Sequence, residues 1–443
     1  MLTYDQSIEY LESFINYEKL AAPYDPRKWK LERMDCLLSS VGNPHRDLRS
    51  IHIAGTKGKG STAAMTASIL KTAGFKVGLY TSPHLISFRE RIRINGEMIS
   101  EDQVCNLVTR LKPHIDELKE QSDRLGHISF FDIYTTLGML FYAEEKVDFA
   151  VFEVGMGGRL DATNVVTPLV SVITQISYDH MMSLGNTIEE IAAEKAGIIK
   201  DDSYVITSPQ VPEALQVIRD TCAGKNARLF EVGRDVCFQK ETGNSFNISG
   251  ILRKYRDLHT PLQGDHQLIN AATAVGALEI LRFHDFTISP EDVRAGLEKV
   301  KWPARVEVIS QNPTIILDTA HNAASAKALR DAIESNFSYE KLIVIIGISL
   351  HKDLKGMGRH LCPIADEVIL TRVDSPRAVE PEDMKAELTG ICKDMIITQD
   401  IASALEKAKS VSGTRDLICI TGSVYLAGEV MQLLGKAPNG DTA

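Results

Sequence analysis

Residues 51–62 read IHIAGTKGKGST, and this stretch decides the fold. The apolar, β-branched run IHIA predicts a strand, and a helix-compatible segment begins directly after the glycines. Glycines let backbone N–H groups turn towards phosphate oxygens, and the N-terminus of the following helix favours negative charge. The predicted phosphate loop consists of Gly55, Thr56, Lys57, Gly58, Lys59, Gly60, Ser61 and Thr62. Lys59 supplies a cation, and Ser61 is placed to reach a magnesium ion.

This loop matches the generic pattern GxxxxGK[ST] only approximately, because its glycines follow a G-x-x-G-K-G-S spacing. The strand before it and the helix after it compensate for that departure. The alternative is a glycine-rich turn that binds nothing, but Lys57 and Lys59 would serve poorly as packing residues in so tight a turn. Phosphate loops occur in kinases, ATPases, GTPases and ligases alike, so the loop leaves the reaction open.

Short apolar runs continue on the C-terminal side of the loop and alternate with helix-compatible stretches. The runs are KVGLYTS, VDFAVFEV and LVSVITQI, and the alternation predicts βαβ units around a parallel sheet. Residues 132–145 (DIYTTLGMLFYAEE) are too apolar for a solvated helix and predict a buried crossover helix. Residues 230–261 predict small strands and hairpin-like turns, and DHQLINAATAVGALEILR predicts a helix with an acidic start.

The βα alternation restarts after KWPAR with TIILD, KLIVIIG, DEVILT, DMIIT and DLICIT. A second set of strands needs its own sheet, and the Trp-Pro junction interrupts regular structure, so we place a domain boundary near residue 303. The predicted fold is α/β, with a P-loop ATPase domain at 1–303 built on a parallel sheet. A smaller, Rossmann-like domain follows at 304–443, and its tail KAPNGDTA is expected to be frayed.

The bulk composition is that of a globular enzyme, with 443 residues, 44% hydrophobic and 24% charged. A net charge of -10 disfavours a broad nucleic-acid surface. The seven cysteines are scattered and contain no C-x-x-C pair, so they indicate neither a disulfide framework nor a zinc site. No signal peptide or membrane span is recognisable, and we expect a cytoplasmic protein.

A cation site is predicted where three strands end. Ser82 follows the strand KVGLYT, Glu153 ends VDFAVFE, and His180 follows LVSVITQI. Ligands gather at the carboxyl ends of parallel strands, and a set dominated by oxygen atoms favours Mg²⁺ or Mn²⁺ over zinc. Two alternatives stay open at this point: Glu153 as a structural partner of a basic residue, and His180 as a structural histidine.

Lys195 lies in the segment IEEIAAEKAGIIK, among apolar and acidic residues. The pattern by itself favours a helix that carries Glu-Lys pairs on a solvated face.

Eight sequence blocks, in order along nearly the whole chain, resemble the folylpolyglutamate synthase/dihydrofolate synthase family of the Mur ligase superfamily. They are AGTKGKGST, YTSPHLISFRERIRING, EVGMGGRLDATNV, ISYDHMMSLGNTIEEIAAEKAGI, DHQLINA, WPARVE, LDTAHN and TGSVYLAGE. The SPHL and GGRLDATN blocks are specific to the folate branch, whereas GKGS and AHN are shared more widely. Two positions depart from the pattern: Lys57 stands where many relatives carry Asn, and Ala323 where Pro is common.

The resemblance assigns roles position by position. It implies that ATP is bound by the loop 55–62 together with Asn270, Arg305 and Asp318. It implies Mg²⁺ at two positions, with Ser61, Ser82, Glu153 and His180 as ligands, and it places Lys59, Lys195 and His180 in catalysis. In this family the lysine of the EKAGI block is carbamylated, which reverses the interpretation of Lys195 given above. Phe131 and Asp161 are implied near the folate, and His321 and Ser423 near the glutamate.

The implied function is an ATP-dependent ligase that adds L-glutamate to a folate, to dihydropteroate, or to both, through an acyl phosphate. Its partners are then small molecules, with no nucleic acid or membrane, and the relatives suggest a monomer. Two alternatives remain: another Mur-type amide ligase, and a non-catalytic nucleotide-binding regulatory protein.

Overall fold

The computed structural model describes residues 2–18, 30–241 and 245–436. Its helices are α1 Tyr4–Glu12, α2 Glu32–Ser40, α3 Lys59–Thr72, α4 Glu101–Lys119, α5 Ser122–Leu125, α6 Phe130–Glu144, α7 Met181–Leu184, α8 Ile188–Ala196, α9 Pro212–Gly224, α10 Asp265–Ile280, α11 Pro290–Glu298, α12 Ala323–Asn336, α13 Leu354–Leu361, α14 Pro381–Leu388, α15 Ile401–Val411 and α16 Val424–Leu433.

Its strands are β1 Ser50–Ala54, β2 Val77–Tyr80, β3 Ile92–Ile94, β4 Glu97–Met98, β5 Phe149–Glu153, β6 Val170–Ile173, β7 Tyr204–Thr207, β8 Arg228–Glu231, β9 Cys237–Lys240, β10 Phe246–Ser249, β11 Lys254–Leu258, β12 Glu307–Ser310, β13 Thr314–Leu317, β14 Leu342–Ile346, β15 Glu367–Thr371, β16 Met395–Thr398 and β17 Leu417–Thr421.

The first sheet has the strand order β4-β3-β2-β5-β1-β6-β7-β8 among the described residues. The strands from β2 to β8 in that order are parallel, and β3 and β4 form an antiparallel edge. Helices cover both faces: α3, α10 and α11 pack on one side, and α4 and α6 on the other. Strands β1 and β5 are buried along their whole length, as a sheet covered on both faces requires.

The predicted crossover helix is confirmed as α6, in which every residue from Phe130 to Tyr142 is buried. The small strands predicted between residues 230 and 261 are also confirmed. They form an antiparallel sheet of order β11-β10-β9, which packs against α10.

The second large sheet has the order β12-β13-β17-β14-β15-β16, parallel except for β12. The predicted α/β class and the smaller, Rossmann-like second unit are therefore confirmed. Helix α11 ends at Glu298 and β12 begins at Glu307, so the predicted boundary at residue 303 falls in the connection between them and stays a prediction. The tail predicted to be frayed lies, apart from Lys436, outside the described residues.

One expectation from the cysteine pattern is wrong. Cys362 and Cys392 form a disulfide, with Cα atoms 5.2 Å apart at a sequence separation of 30. The pair is brought together by the packing of α13 against α14, a tertiary contact that no short spacing motif announces. Among the described residues, no helix is long and apolar enough to cross a membrane.

Ile345 lies on β14, a central strand of the second sheet, and is completely buried. Ile345→Ala is expected to lower the free energy of unfolding by about 2–5 kcal/mol, because the removed atoms leave a cavity that the neighbouring strands cannot fill. Urea denaturation followed by circular dichroism measures the change. Val308→Ala on the edge strand β12, where the side chain is 41% exposed, is the control and should stay within about 0.5 kcal/mol of the unmodified protein. Equal losses in both variants would contradict this account of the core.

Candidate active site

Four adjacent strands of the first sheet end at one edge, in the order β2-β5-β1-β6. Ser82 follows β2, Glu153 ends β5, the phosphate loop follows β1, and His180 lies beyond β6. Because these strands are parallel, their carboxyl ends deliver all four groups to the same side of the sheet. In the second sheet β13, β17 and β14 are neighbours, and Asp318, Ser423 and Lys352 lie in the segments that follow their carboxyl ends.

The phosphate loop is shaped by two glycines. Gly55 and Gly58 have φ values of 149° and 87°, a backbone conformation that side chains disfavour. A Cβ atom added at Gly58 would lie 2.2 Å from Oδ1 of Asn270, so the loop packs directly against α10. The backbone N–H groups of Thr56 and Lys57 both donate to the carbonyl oxygen of Gln175. Loop and sheet edge are therefore fixed together.

Two lysines share one carbonyl group of this loop. Lys59 Nζ donates to the carbonyl oxygen of Gly55 at 3.2 Å, and Lys195 Nζ donates to the same oxygen at 2.9 Å. Lys195 is 4% exposed, so the sequence pattern that favoured a solvated helix face is wrong at this residue. Lys195 is buried because α8 packs this face against the phosphate loop. Burial, and next the positive charge of Lys59, lower the pKa of Lys195 to about 7.

Glu153 is a buried carboxylate at this edge, 5% exposed. It accepts a hydrogen bond from the backbone N–H of Ser82 at 3.2 Å. Burial raises its pKa, and the positive charges of Lys59 and Arg305 oppose that rise. Lys59 and Arg305, one from each unit, are thus near enough to affect Glu153. Within the part of the chain that the structure describes, no salt bridge occupies its carboxylate, which leaves the group available to a metal ion.

The set of metal ligands predicted from sequence is only partly assembled. Within residues 2–18, 30–241 and 245–436, no three His, Cys, Asp or Glu side chains are grouped as metal ligands. The side chain of His180 is 45% exposed, and its Nε2 lies 3.8 Å from Asp179. Partial burial and the charge of Lys352 lower its pKa, which keeps the imidazole neutral and able to bind a metal. A carboxylate, two serine hydroxyls and one neutral imidazole fit Mg²⁺ in donor chemistry.

Asp318 and Arg305 form hydrogen bonds where the chain enters the second sheet. Asp318 accepts hydrogen bonds from the backbone N–H groups of Ala320 at 2.7 Å and Val306 at 3.1 Å. Val306 has a φ of 49°, so the carboxylate stabilises a strained turn. Arg305 donates to Thr319 Oγ1 at 2.5 Å. Arg305 is also close enough to Glu153 of the first sheet for the two charges to affect each other, which places this turn at the junction of the two sheets.

The residues assigned to the glutamate are buried or partly buried at the edge of the second sheet. His321 Nδ1 lies 2.9 Å from the carbonyl oxygen of Thr319. Its Nε2 faces Asp179 at 3.6 Å. Ser423 is the N-cap of α16, and its hydroxyl accepts from the N–H of Leu426.

The two residues assigned to the folate have clear structural partners. A Cβ atom added at Gly155 would lie 2.6 Å from the Phe131 ring, so that ring packs on the loop after β5. Asp161 is buried and accepts hydrogen bonds from the N–H of Met156 at 3.0 Å and from the N–H and hydroxyl of Thr163. Asp161 therefore shapes the GMGGRLDATN loop from inside.

Two charged residues of the site, Asp179 and Lys352, were not predicted from the sequence. Asp179, next to His180, lies 3.4 Å from Lys57 Nζ and 3.5 Å from Lys352 Nζ. Besides burial, the positive charge of Lys59 lowers the pKa of Lys57, Lys195 and Lys352 at this junction. Burial lowers the pKa of Lys57 to about 8. Burial would raise the pKa of Asp179, but the contact with His321 and the charges of Lys57 and Lys352 keep it far below its usual value. So many ammonium groups around one loop suit an anionic ligand such as a triphosphate.

The comparisons with known proteins agree along the chain. Residues 53–278 match the family model of the Mur ligase middle domain, and residues 304–424 match that of the Mur ligase, glutamate ligase domain. The dihydrofolate synthase/folylpolyglutamate synthase of Bacillus subtilis is 38% identical, covering 91% of this chain and 94% of the relative. The folylpolyglutamate synthase of Lacticaseibacillus casei is 36% identical, covering 98% and 99%. The solved structure of Mycobacterium tuberculosis folylpolyglutamate synthase complexed with ADP has a TM-score of 0.90 at 32% identity, covering 98% of this chain and 99% of that one.

Gly58→Ala tests the shape of the loop. We expect affinity for an ATP analogue to fall at least tenfold, about 1.4 kcal/mol, because the new methyl group meets Asn270 and forces the loop to move. Isothermal titration calorimetry measures the affinity. Gly74→Ala is the matched control: it has a similar φ of 92°, but nothing lies within 4 Å of the added Cβ. If both variants bound the analogue as tightly as the unmodified protein, the loop would not be the phosphate site.

Proposed function

The chain belongs to the folylpolyglutamate synthase/dihydrofolate synthase family of Mur ligases and is an ATP-dependent folate glutamate ligase, and we propose that it works through an acyl phosphate formed between its two sheets. The observation that carries the proposal is the meeting of the two sheet edges around the phosphate loop. Lys57 of the loop and Lys352 of the second sheet contact the same carboxylate, that of Asp179.

Two bond exchanges make up the reaction. A carboxylate oxygen of the folate or pteroate attacks the γ-phosphorus of ATP, and the bond to the β-phosphate oxygen breaks to release ADP. The amine of L-glutamate then attacks the acyl carbon, loses a proton and displaces inorganic phosphate. The protein has to neutralise charge and exclude water, and it supplies no covalent nucleophile.

The lysines of the loop do most of the neutralisation in this proposal. Lys59 lies at the start of α3, where the helix N-terminus also favours phosphate. Asn270 packs on Gly58. Arg305 and Asp318 would contact the nucleotide from the second sheet, as the family pattern implies. Ser61, Ser82, Glu153 and His180 would hold Mg²⁺, at two positions as the family pattern implies, and the ion when bound neutralises phosphate charge.

We propose that Lys195 is carbamylated. Only a neutral amine attacks CO₂, and a pKa of about 7 leaves much of Lys195 neutral at physiological pH. The reaction forms an N–C bond and releases one proton, and it turns a buried cation into an anion that would support a metal ion. It also relieves the repulsion between Lys195 and Lys59, both of which contact the Gly55 carbonyl.

The substrates are assigned to the two sides of the junction. Phe131 and the loop shaped by Asp161 would border the folate, and His321 and Ser423 would bind the glutamate.

We propose a monomer, because residues of one chain line both halves of the site. We propose a cytoplasmic location, because ATP is supplied there. The domains would extend over residues 1–303 and 304–443.

The reaction is tested by phosphate release from MgATP and L-glutamate, with dihydropteroate, tetrahydrofolate and a muramyl-peptide precursor supplied in separate reactions. We expect release that depends on both glutamate and a pterin, and Lys59→Ala should lower it by about 100-fold or more, the scale of a lost transition-state donor. Release only with the muramyl precursor would support another Mur-type ligase. No release with any acceptor would support a regulatory protein.

The carbamate is tested by NMR after equilibration with ¹³C-labelled bicarbonate. We expect one carbamate carbon signal that weakens as the pH falls below about 7, because protonation of Lys195 then prevents attack on CO₂. Lys195→Arg keeps the positive charge but should abolish the signal and lower turnover by about 10- to 100-fold. Lys409→Arg, at an exposed position on α15, is the control. A signal that survives in Lys195→Arg would rule out this site.

A further inference from the structure

One carboxylate connects the two sheets of this protein. Asp179 lies in the loop after β6, and its side chain is 12% exposed. Its oxygen atoms lie within 4 Å of side chains from both units: Lys57 Nζ at 3.4 Å, Asn322 Nδ2 at 3.2 Å, Lys352 Nζ at 3.5 Å, His321 Nε2 at 3.6 Å and His180 Nε2 at 3.8 Å. Three of these five side chains come from the second unit, one comes from the phosphate loop, and His180 is the next residue in the chain.

The contact with Asn322 fixes a helix across the junction. Oδ1 of Asn322 accepts from the N–H of Ser325 and so caps the N-terminus of α12. Its Nδ2 donates to Asp179 on the other side. A single amide side chain thus ties the start of α12 to the loop after β6.

The contacts with lysine hold together two cations that would otherwise repel each other. Lys57 and Lys352 come from different units and approach opposite oxygens of the same carboxylate. Lys59 is near enough to repel both. With one anion between them, the two ammonium groups can stay next to the phosphate loop, and their remaining N–H donors are left for a ligand.

This arrangement depends on the length and the charge of the Lys57 side chain. An asparagine at this position would have neither the length nor the charge to form the same ion pair. The phosphate loop therefore carries a second cation beside Lys59, and Asp179 lies where it can hold that cation.

We propose that Asp179 is a positioning residue, which holds Lys57 of the phosphate loop and Lys352 of the second unit so that both ammonium groups face the phosphoryl group of ATP when it is transferred. The inference rests on the proposed function and deepens it. Asp179 itself forms and breaks no covalent bond, and its effect passes through the two lysines.

The test is a mutant cycle in which Asp179→Asn is made in the unmodified protein and in the Lys57→Asn, Lys352→Met double variant. In the unmodified protein we expect kcat to fall at least tenfold, with a smaller change in KM for ATP. In the double variant, the same substitution should change kcat less than twofold, because the lysines through which it acts are gone. Asp179→Glu keeps the charge and should recover part of the loss.

Asp116→Asn is the matched control, because Asp116 also lies between two lysines, Lys112 at 2.5 Å and Lys119 at 3.6 Å, but on the outer face of α4. It should leave kcat unchanged. The melting temperature of every variant is measured, and if Asp179→Asn does not fold, Asp179→Glu is taken through the same cycle. Equal losses of kcat in both backgrounds would overturn the inference, since Asp179 would then act without the lysines.

Binding of a non-hydrolysable ATP analogue by calorimetry separates this inference from the proposed reaction, because it needs neither folate nor glutamate. We expect Asp179→Asn to weaken binding about fivefold or more in the unmodified protein and less than twofold in the double variant. If the unmodified protein binds the analogue with this pattern but turns over no pterin, the proposed reaction fails while the positioning role stands. If it ligates glutamate but the binding effect is equal in both backgrounds, the reverse holds.

Discussion

The positive charge gathered at the phosphate loop is the constraint on which the rest of this structure depends. Ammonium groups are expensive to bury without partners, and here Lys57, Lys59 and Lys195 converge on a single turn while Lys352 approaches from the second sheet. Carbonyl oxygens and the carboxylate of Asp179 offset part of this cost. The negative charge of a nucleotide would offset more of the cost of burying these ammonium groups. The lysines that lower the stability of the protein alone would therefore favour nucleotide binding.

Both large sheets place charged side chains at the junction through the same geometry. Residues that follow parallel strands gather at the carboxyl edge of a sheet. In each of the two large sheets, the central strands end at the junction between the sheets. The first sheet contributes the phosphate loop, Glu153 and Asp179, and the second contributes Asp318, His321 and Lys352. A reaction that needs ATP on one side and an amino acid on the other suits such a junction, because water can be excluded only where both sides meet.

The sequence predicted best those parts that depend on local pattern. Apolar β-branched runs and glycines predicted β1 and the loop after it, and the dense apolar stretch at 132–145 predicted the buried helix α6. Residues whose environment is set by distant packing were harder to interpret. The residues around Lys195 in the sequence are typical of a solvated helix, yet the packing of α8 directs its ammonium group to the carbonyl oxygen of Gly55. Asp179 and Lys352 are 173 residues apart, and only the meeting of the two sheets makes them partners. The Cys362–Cys392 pair was missed for the same reason.

The central claim is that both units supply cations to one phosphoryl group. A crystal structure of the protein with a non-hydrolysable ATP analogue and Mg²⁺ tests it most directly, through the distances from the γ-phosphate oxygens to Lys57 Nζ and Lys352 Nζ. We predict that both distances are about 3 Å, the length of a charge-assisted hydrogen bond. A γ-phosphate contacted by Lys59 alone, with Lys352 turned away from the nucleotide, would contradict the claim.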